Sequence, residues 1–151
     1  MKVEKGIVYK SVVEFKKKHP MTIAWRLAKN ASIVEKHLNP DEKVLYAFCA
    51  QKNDHPFNIL TTAVVALTSQ RILIGRKRVV FGYFLDSITP DLFNDLKVFS
   101  SIIWGKIHID TLNEYVTLSN ISKSALNEIE TKVSSFMMAE KKKYPSVHRT
   151  K

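Results

Sequence analysis

Residues 43–119 form a succession of short β-rich runs joined by links too short for anything but antiparallel neighbours. KVLYAFCAQ (43–51), TTAVVALT (61–68), RILIGR (71–76) and VVFGYFL (79–85) are dense in β-branched and aromatic residues. The links Ser69-Gln70 and Lys77-Arg78 hold about two residues each, which suits hairpins, whereas a parallel crossover needs about a dozen. A doubly wound α/β sheet is thereby excluded. Residues 96–100, 103–110 and 115–119 extend the series to seven strands, with Gly82 and Gly105 placed where a strand can bulge or bend.

On both flanks the apolar period changes from two to between three and four. Across 21–38, Ala24, Leu27, Ala28, Ala31, Val34 and Leu38 recur on one helical face. Thr22 is positioned as an N-cap, and Asn39-Pro40 is the stop. A shorter helix is expected over 8–18, broken at His19-Pro20. Trp25 lies off the main stripe and Lys29 and Lys36 flank it, a pattern shared with interfacial membrane helices; the alanines and Glu35 favour packing on a core instead. Over 122–143, Leu126, Ile129, Val133, Phe136 and Met137 form a single stripe, which predicts a helix laid over an apolar face with Phe136 buried.

These pieces resemble the bacterial pleckstrin-homology-like domains, of the YokE-like type, over roughly residues 38–140. The resemblance rests on LNPDEKVLYAF leading into the first strand and on VALTSQRILIG, in which a strand turns tightly at Thr-Ser-Gln-Arg and resumes. DSITPDLFNDLKVFSSIIWGKIHID and then NISKSALNEIE follow in the same order as in that family. The resemblance implies a mainly β fold: a PH-like, seven-stranded antiparallel bent barrel capped by a C-terminal α-helix. Residues 1–37 lie outside it and are read as an N-terminal helical extension, 38–143 as the PH-like domain and 144–151 as a basic tail.

With 151 residues the chain is long enough to bury a core without disulfides or metal, and the single Cys49 cannot form an internal bridge. The longest unbroken apolar run, about residues 63–67, is far short of a membrane span, and lysines interrupt the N-terminus where a leader would be apolar. A cytoplasmic location is expected, with peripheral attachment to a membrane as the alternative.

Lys and Arg number 24 against 14 Asp and Glu, a formal charge of +10 that suits nucleic acid, anionic membrane or an acidic protein. Enzyme signatures are missing: the chain has no P-loop, GxSxG, GxGxxG or HExxH, and its five histidines lack metal-ligand spacing. We expect no enzymatic activity and no cofactor. Cys49, inside VLYAFCA, reads as a buried small hydrophobe rather than a nucleophile, and Asp91 and Asp95 as ordinary turn residues. His108 alternates with Ile107 and Ile109 and should point away from their face.

The candidate binding residues are Arg76, Lys77 and Arg78, read as three cations at a hairpin tip, with Lys52 and His55 in the adjacent first loop. By the resemblance, this end of the barrel is where lipid-binding relatives hold a phosphoinositide headgroup, but QKNDHPFNIL lacks their spread of basic residues and places Asp54 beside Lys52. The resemblance also makes Arg71 part of a turn signature, donating to turn carbonyls or a carboxylate. A protein or peptide partner at an exposed strand edge ranks first as the function, and nonspecific attraction to anionic lipid second. Nucleic acid ranks third, since Phe48, Phe81, Phe84 and Trp104 sit in apolar strand contexts rather than on an exposed stacking face.

Overall fold

The computed structural model describes residues 6–52, 59–78 and 80–144. Helices α1 (Ile7–Lys18) and α2 (Leu27–Lys36) precede strands β1 (Val44–Gln51), β2 (Thr62–Thr68), β3 (Ile72–Lys77), β4 (Tyr83–Ile88), β5 (Phe93–Ser100), β6 (Trp104–Thr111) and β7 (Tyr115–Ser122). A closing helix follows in two α-helical pieces, α3 (Leu126–Ile129) and α4 (Ser135–Lys141), joined by a π-helical turn, Glu130–Ser134. A 3-10 turn, Ile59–Thr61, leads into β2, and another, Lys123–Ala125, leads into α3.

The strands form one antiparallel sheet in the order β4-β3-β2-β1-β7-β6-β5. Each chain neighbour pairs with the next, as the short links require, except that β1 meets β7 instead of β4 meeting β5. That meeting is slight: β1 and β7 share the pair Gln51 and Ser119, while β1 and β2 run together from Val44/Thr68 to Gln51/Thr62. The sheet bends at this seam into a curled half-barrel with β4 and β5 at its two ends. Gln51 is fully buried there and its amide is engaged throughout, donating to Thr62 Oγ1 (2.8 Å) and Ile23 O (3.1 Å) and accepting from Asn120 Nδ2 (3.0 Å). A buried amide is tolerated only when satisfied in this way.

α1 and α2 belong to the same core. Val8, Val12 and Phe15 are buried, and the Phe15 ring lies 6.2 Å from Tyr46 and 5.9 Å from Phe48. α2 crosses β3 at Gly75, where a β-carbon would sit 2.7 Å from Val34 Cγ2, so only glycine allows this approach. Stability and the placing of the sheet's open end therefore both depend on the N-terminal helices.

Three local expectations are corrected. The second helix begins at Leu27, preceded by Arg26 at φ 54° and an extended segment. Thr22 does not cap it; its hydroxyl accepts from Ser122 N (2.9 Å), while Ile23 N donates to Asn120 O (3.1 Å), which pins the segment to β7. The fourth strand starts at Tyr83, four residues later than the apolar run suggests, because Gly82 adopts φ +74° and ends the turn there. Phe136 is half-buried, and Met137 is the fully buried residue of α4. The buried stripe of the closing helix runs through Leu126, Ile129, Val133 and Met137, which leaves Phe136 at its margin.

Candidate functional site

Two polar centres lie at opposite ends of the β1-β2-β3-β4 half. At the β2–β3 turn, Arg71 is the centre of a closed network. Its Nε donates to Glu42 Oε2 and its Nη2 to Glu42 Oε1, both at 3.0 Å. Nη2 also reaches His37 O (2.9 Å) and Nη1 reaches Ser87 Oγ (3.1 Å). The Glu42 side chain is fully buried and accepts further from Thr68 Oγ1 (2.5 Å) and Asn39 N (2.9 Å). Burial pushes its pKa up, but Arg71, Asn39 and Thr68 outweigh this and hold the carboxyl below its ordinary value. Arg71 thus staples the segment before β1 to β3 and β4. A cleft of about 420 Å³ beside it is lined by Asn39, Gln70, Thr89 and Tyr144 among others, but the guanidinium facing it is already spent on Glu42.

The other end gathers the cations named by the sequence. β3 runs out at Lys77 and β4 begins at Tyr83, so the hairpin link spans 78–82 and not two residues; Arg78 N donates to Gly82 O (3.0 Å) to close it. Arg76 and Lys77 are in consequence strand residues, opposite Phe84 and Tyr83, and only Arg78 is at the tip. The Arg76 guanidinium lies 4.4 Å from the centre of the Phe84 ring and that of Arg78 5.3 Å from it, so one aromatic face holds both. Arg76 Nη1 also donates to Leu60 O (3.3 Å). Burial, then Arg78, lowers the Arg76 pKa against the opposing pull of Asp86, yet a guanidinium stays charged at any physiological pH.

Lys52 is not free in the same sense: its ammonium pairs with Asp86 Oδ2 at 2.5 Å. Asp86, the acid of this end among the described residues, is thereby neutralised within the domain. Among the described residues, Arg76, Lys77 and Arg78 form no ion pair within 4.0 Å. His55 and Asp54 lie outside the described residues. α2 brings further charge: Asn30 accepts from Lys77 N (2.7 Å) through Oδ1 and donates to Thr62 O (3.1 Å), so Arg26 and Lys29 at the start of α2 lie beside the end of β3.

The sequence reading missed the apolar part of this end. Phe81 is 80% exposed and Phe84 44%, not enclosed as their strand-like context suggested, and Val80 is 73% exposed. The available signal was Gly82, whose left-handed backbone converts the end of an apolar run into a turn.

Elsewhere, Cys49 is fully buried and burial pushes its thiol up to about 12, so it is no thiolate at neutral pH. His108 is partly exposed between buried Ile107 and Ile109, and its ring lies 4.9 Å from those of Phe99 and Tyr115. Among the described residues no three His, Cys, Asp or Glu side chains are grouped to hold a metal ion, and no helix is long and apolar enough to cross a membrane.

A scan of family models matches the Bacterial PH domain over residues 38–135, which takes in the whole curled sheet and most of the closing helix. This chain belongs to the bacterial PH domain family. The match does not distinguish the YokE-like type. Among solved structures the chain is similar to a pleckstrin homology domain from Shewanella amazonensis SB2B, at 13% identity and a TM-score of 0.48, covering 76% of this chain and 90% of that one. No curated protein matches. PH-like domains of this family are typically binding modules and generally non-catalytic, so the cationic end is considered as a binding surface.

Proposed function

We propose that this bacterial PH domain is a non-enzymatic adaptor that associates with anionic membrane surfaces through the end of the sheet carrying Arg76, Lys77 and Arg78. The observation that carries the reading is the contrast between these three cations and their neighbour Lys52. Lys52 has its counter-ion in Asp86, while the other three form no ion pair within 4.0 Å among the described residues, and Arg76 and Arg78 share the Phe84 ring despite their like-charge repulsion. Such an arrangement is favourable when an external anion approaches. Arg26 and Lys29 widen the charged surface, and the formal charge of +10 adds long-range attraction.

Each basic residue near an anionic bilayer contributes about 1 kcal/mol, so R76Q/K77Q/R78Q should weaken vesicle binding by roughly two orders of magnitude at low salt. The test is sedimentation with phosphatidylglycerol-containing vesicles across a salt series, with a matched DNA titration. Absence of wild-type sedimentation at low ionic strength, or equal affinity for DNA, refutes the reading.

A protein or peptide partner, first on the sequence alone, is here the second reading, favoured by one observation. β5 is an end strand, and a row of ring contacts runs inward from it, from Phe99 on β5 through the partly exposed His108 on β6 to Tyr115 on β7, a surface to which an added strand has side-chain contacts. The charged end has the prior claim because Arg76, Lys77 and Arg78 form no ion pair within 4.0 Å among the described residues.

A further inference from the structure

The 78–82 turn carries more apolar surface than a turn requires. Hairpin links are ordinarily built from Gly, Asn, Asp and Ser, and here Gly82 alone supplies the left-handed residue that closes the hairpin. Yet Val80 and Phe81 stand at 73% and 80% exposure, with Leu60 at 52% and Tyr83 at 48% behind them. Neither apex side chain is among the hydrophobic residues that make up or pack against the core. The apolar apex is thus separable from the fold.

Its surroundings specify what covers it. Arg76 and Arg78 lie over Phe84, and Lys77 pairs with Tyr83, so cations and aromatic rings form a collar behind the apex. Arg76 lies across the ladder from Phe84, while Val80 and Phe81 belong to the turn beyond the ends of both strands, so the collar stands behind the apex along the hairpin. That order matches the way interfacial segments bury apolar groups while their cations remain at the phosphates. The one described acid of the collar, Asp86, is neutralised by Lys52. A rigid protein surface offers no fixed reason for this graded order of apolar apex, aromatic ring and cation; a bilayer leaflet has that order built in.

Building on the reading above, we infer that Val80 and Phe81 are a wedge that enters the anionic leaflet, so that the protein holds the membrane by insertion as well as by charge. The partner is the lipid bilayer itself. Insertion predicts a component of binding that salt does not screen, because burial of apolar side chains is independent of ionic strength.

The full chain is compared with V80S/F81S and with R76Q/K77Q/R78Q on phosphatidylglycerol/phosphatidylcholine vesicles between low and high salt. V80S/F81S should keep the wild-type urea midpoint within error of a surface change, since its replaced side chains lie outside the packed core, and R76Q/K77Q/R78Q, which loses the Arg76 contacts to Leu60 O and Phe84, should stay folded with a modestly lower midpoint. The wedge predicts that V80S/F81S binds about ten- to a hundredfold more weakly than wild type and loses the binding that persists at high salt. The charge variant should lose mainly the low-salt component. Phe81→Trp gives the second readout: emission beyond that of Trp25 and Trp104 should be quenched by brominated acyl chains. If V80S/F81S sediments like wild type at every salt and the added tryptophan is unquenched, the wedge is overturned while the charge reading stands. If wild type fails to bind even at low salt, both fall. Loss of binding to a protein with vesicle binding unchanged in V80S/F81S overturns the wedge and makes the apex a protein contact.

Discussion

Replacing Arg71 by Met should be among the most damaging single changes in the domain, and its cost should depend on pH in a direction fixed by Glu42. The variant keeps most of the side-chain length but leaves a carboxylate whose side chain is fully buried with only Thr68 and Asn39 as donors. His37 O and Ser87 Oγ lose their donor too. Breaking a buried pair by removing one member costs about 3 to 5 kcal/mol, because the remaining charge is uncompensated. In a chain of this size that corresponds to a fall in Tm of roughly 6 to 20 °C. The sign with pH follows from the protonation of Glu42. In the wild type its pKa lies below the ordinary 4.5, so its contribution is present above pH 4.5 and fades on acidification. In R71M, burial is no longer outweighed and the pKa moves above that value. The penalty is then present at pH 7 and is relieved as pH falls toward 4.5. Urea unfolding of both proteins at pH 7, 6, 5 and 4.5 should show the gap closing toward acid, and E42Q/R71M should recover part of the loss at pH 7. A gap below about 1 kcal/mol at pH 7, or one that is flat with pH, would falsify the assignment of Arg71 as the counter-ion of a buried carboxylate.

Three further outcomes are expected. Glu128 is pushed up by burial but held at about 2 by hydrogen bonds from Lys18 and Tyr46 and by the charges of Lys18 and His19, so its share of stability is present above pH 4.5 and lost between 4.5 and about 2; E128Q should flatten that acid limb in urea titrations. Met137→Ala should cost about 2 to 5 kcal/mol and Phe136→Ala distinctly less, the reverse of what their side-chain sizes suggest, in parallel denaturation curves. Native Cys49 should react slowly with a thiol reagent at pH 8 and rapidly once unfolded in denaturant; fast native reaction would contradict its burial.

The order of elements was written locally. β-branched and aromatic runs separated by links of a few residues allow only antiparallel neighbours, and the 3.6-residue stripes at 27–36 and 126–137 could not be strands. These are short-range constraints, set by dihedral preference and by the reach of a few peptide units. The expected location of Cys49 and the alternation of His108 with its isoleucines follow from the same local period.

Tertiary structure decided what local pattern cannot encode. Whether β4 begins at Val79 or Tyr83 depends on Gly82 taking a left-handed conformation, and that single dihedral moves Phe81 from a supposed core to 80% exposure. Whether Lys52 is an open cation depends on Asp86, 34 residues away and two strands across. Thr22 reads as a helix cap from its neighbours alone, but the amide of Ser122, 100 residues on, claims its hydroxyl. Phe136 and Met137 share one stripe in the sequence, but only Met137 is fully buried where the closing helix meets the curved sheet. In each case the deciding partner is distant in sequence, and its effect on charge or exposure exists only once the sheet has curled and brought the two together.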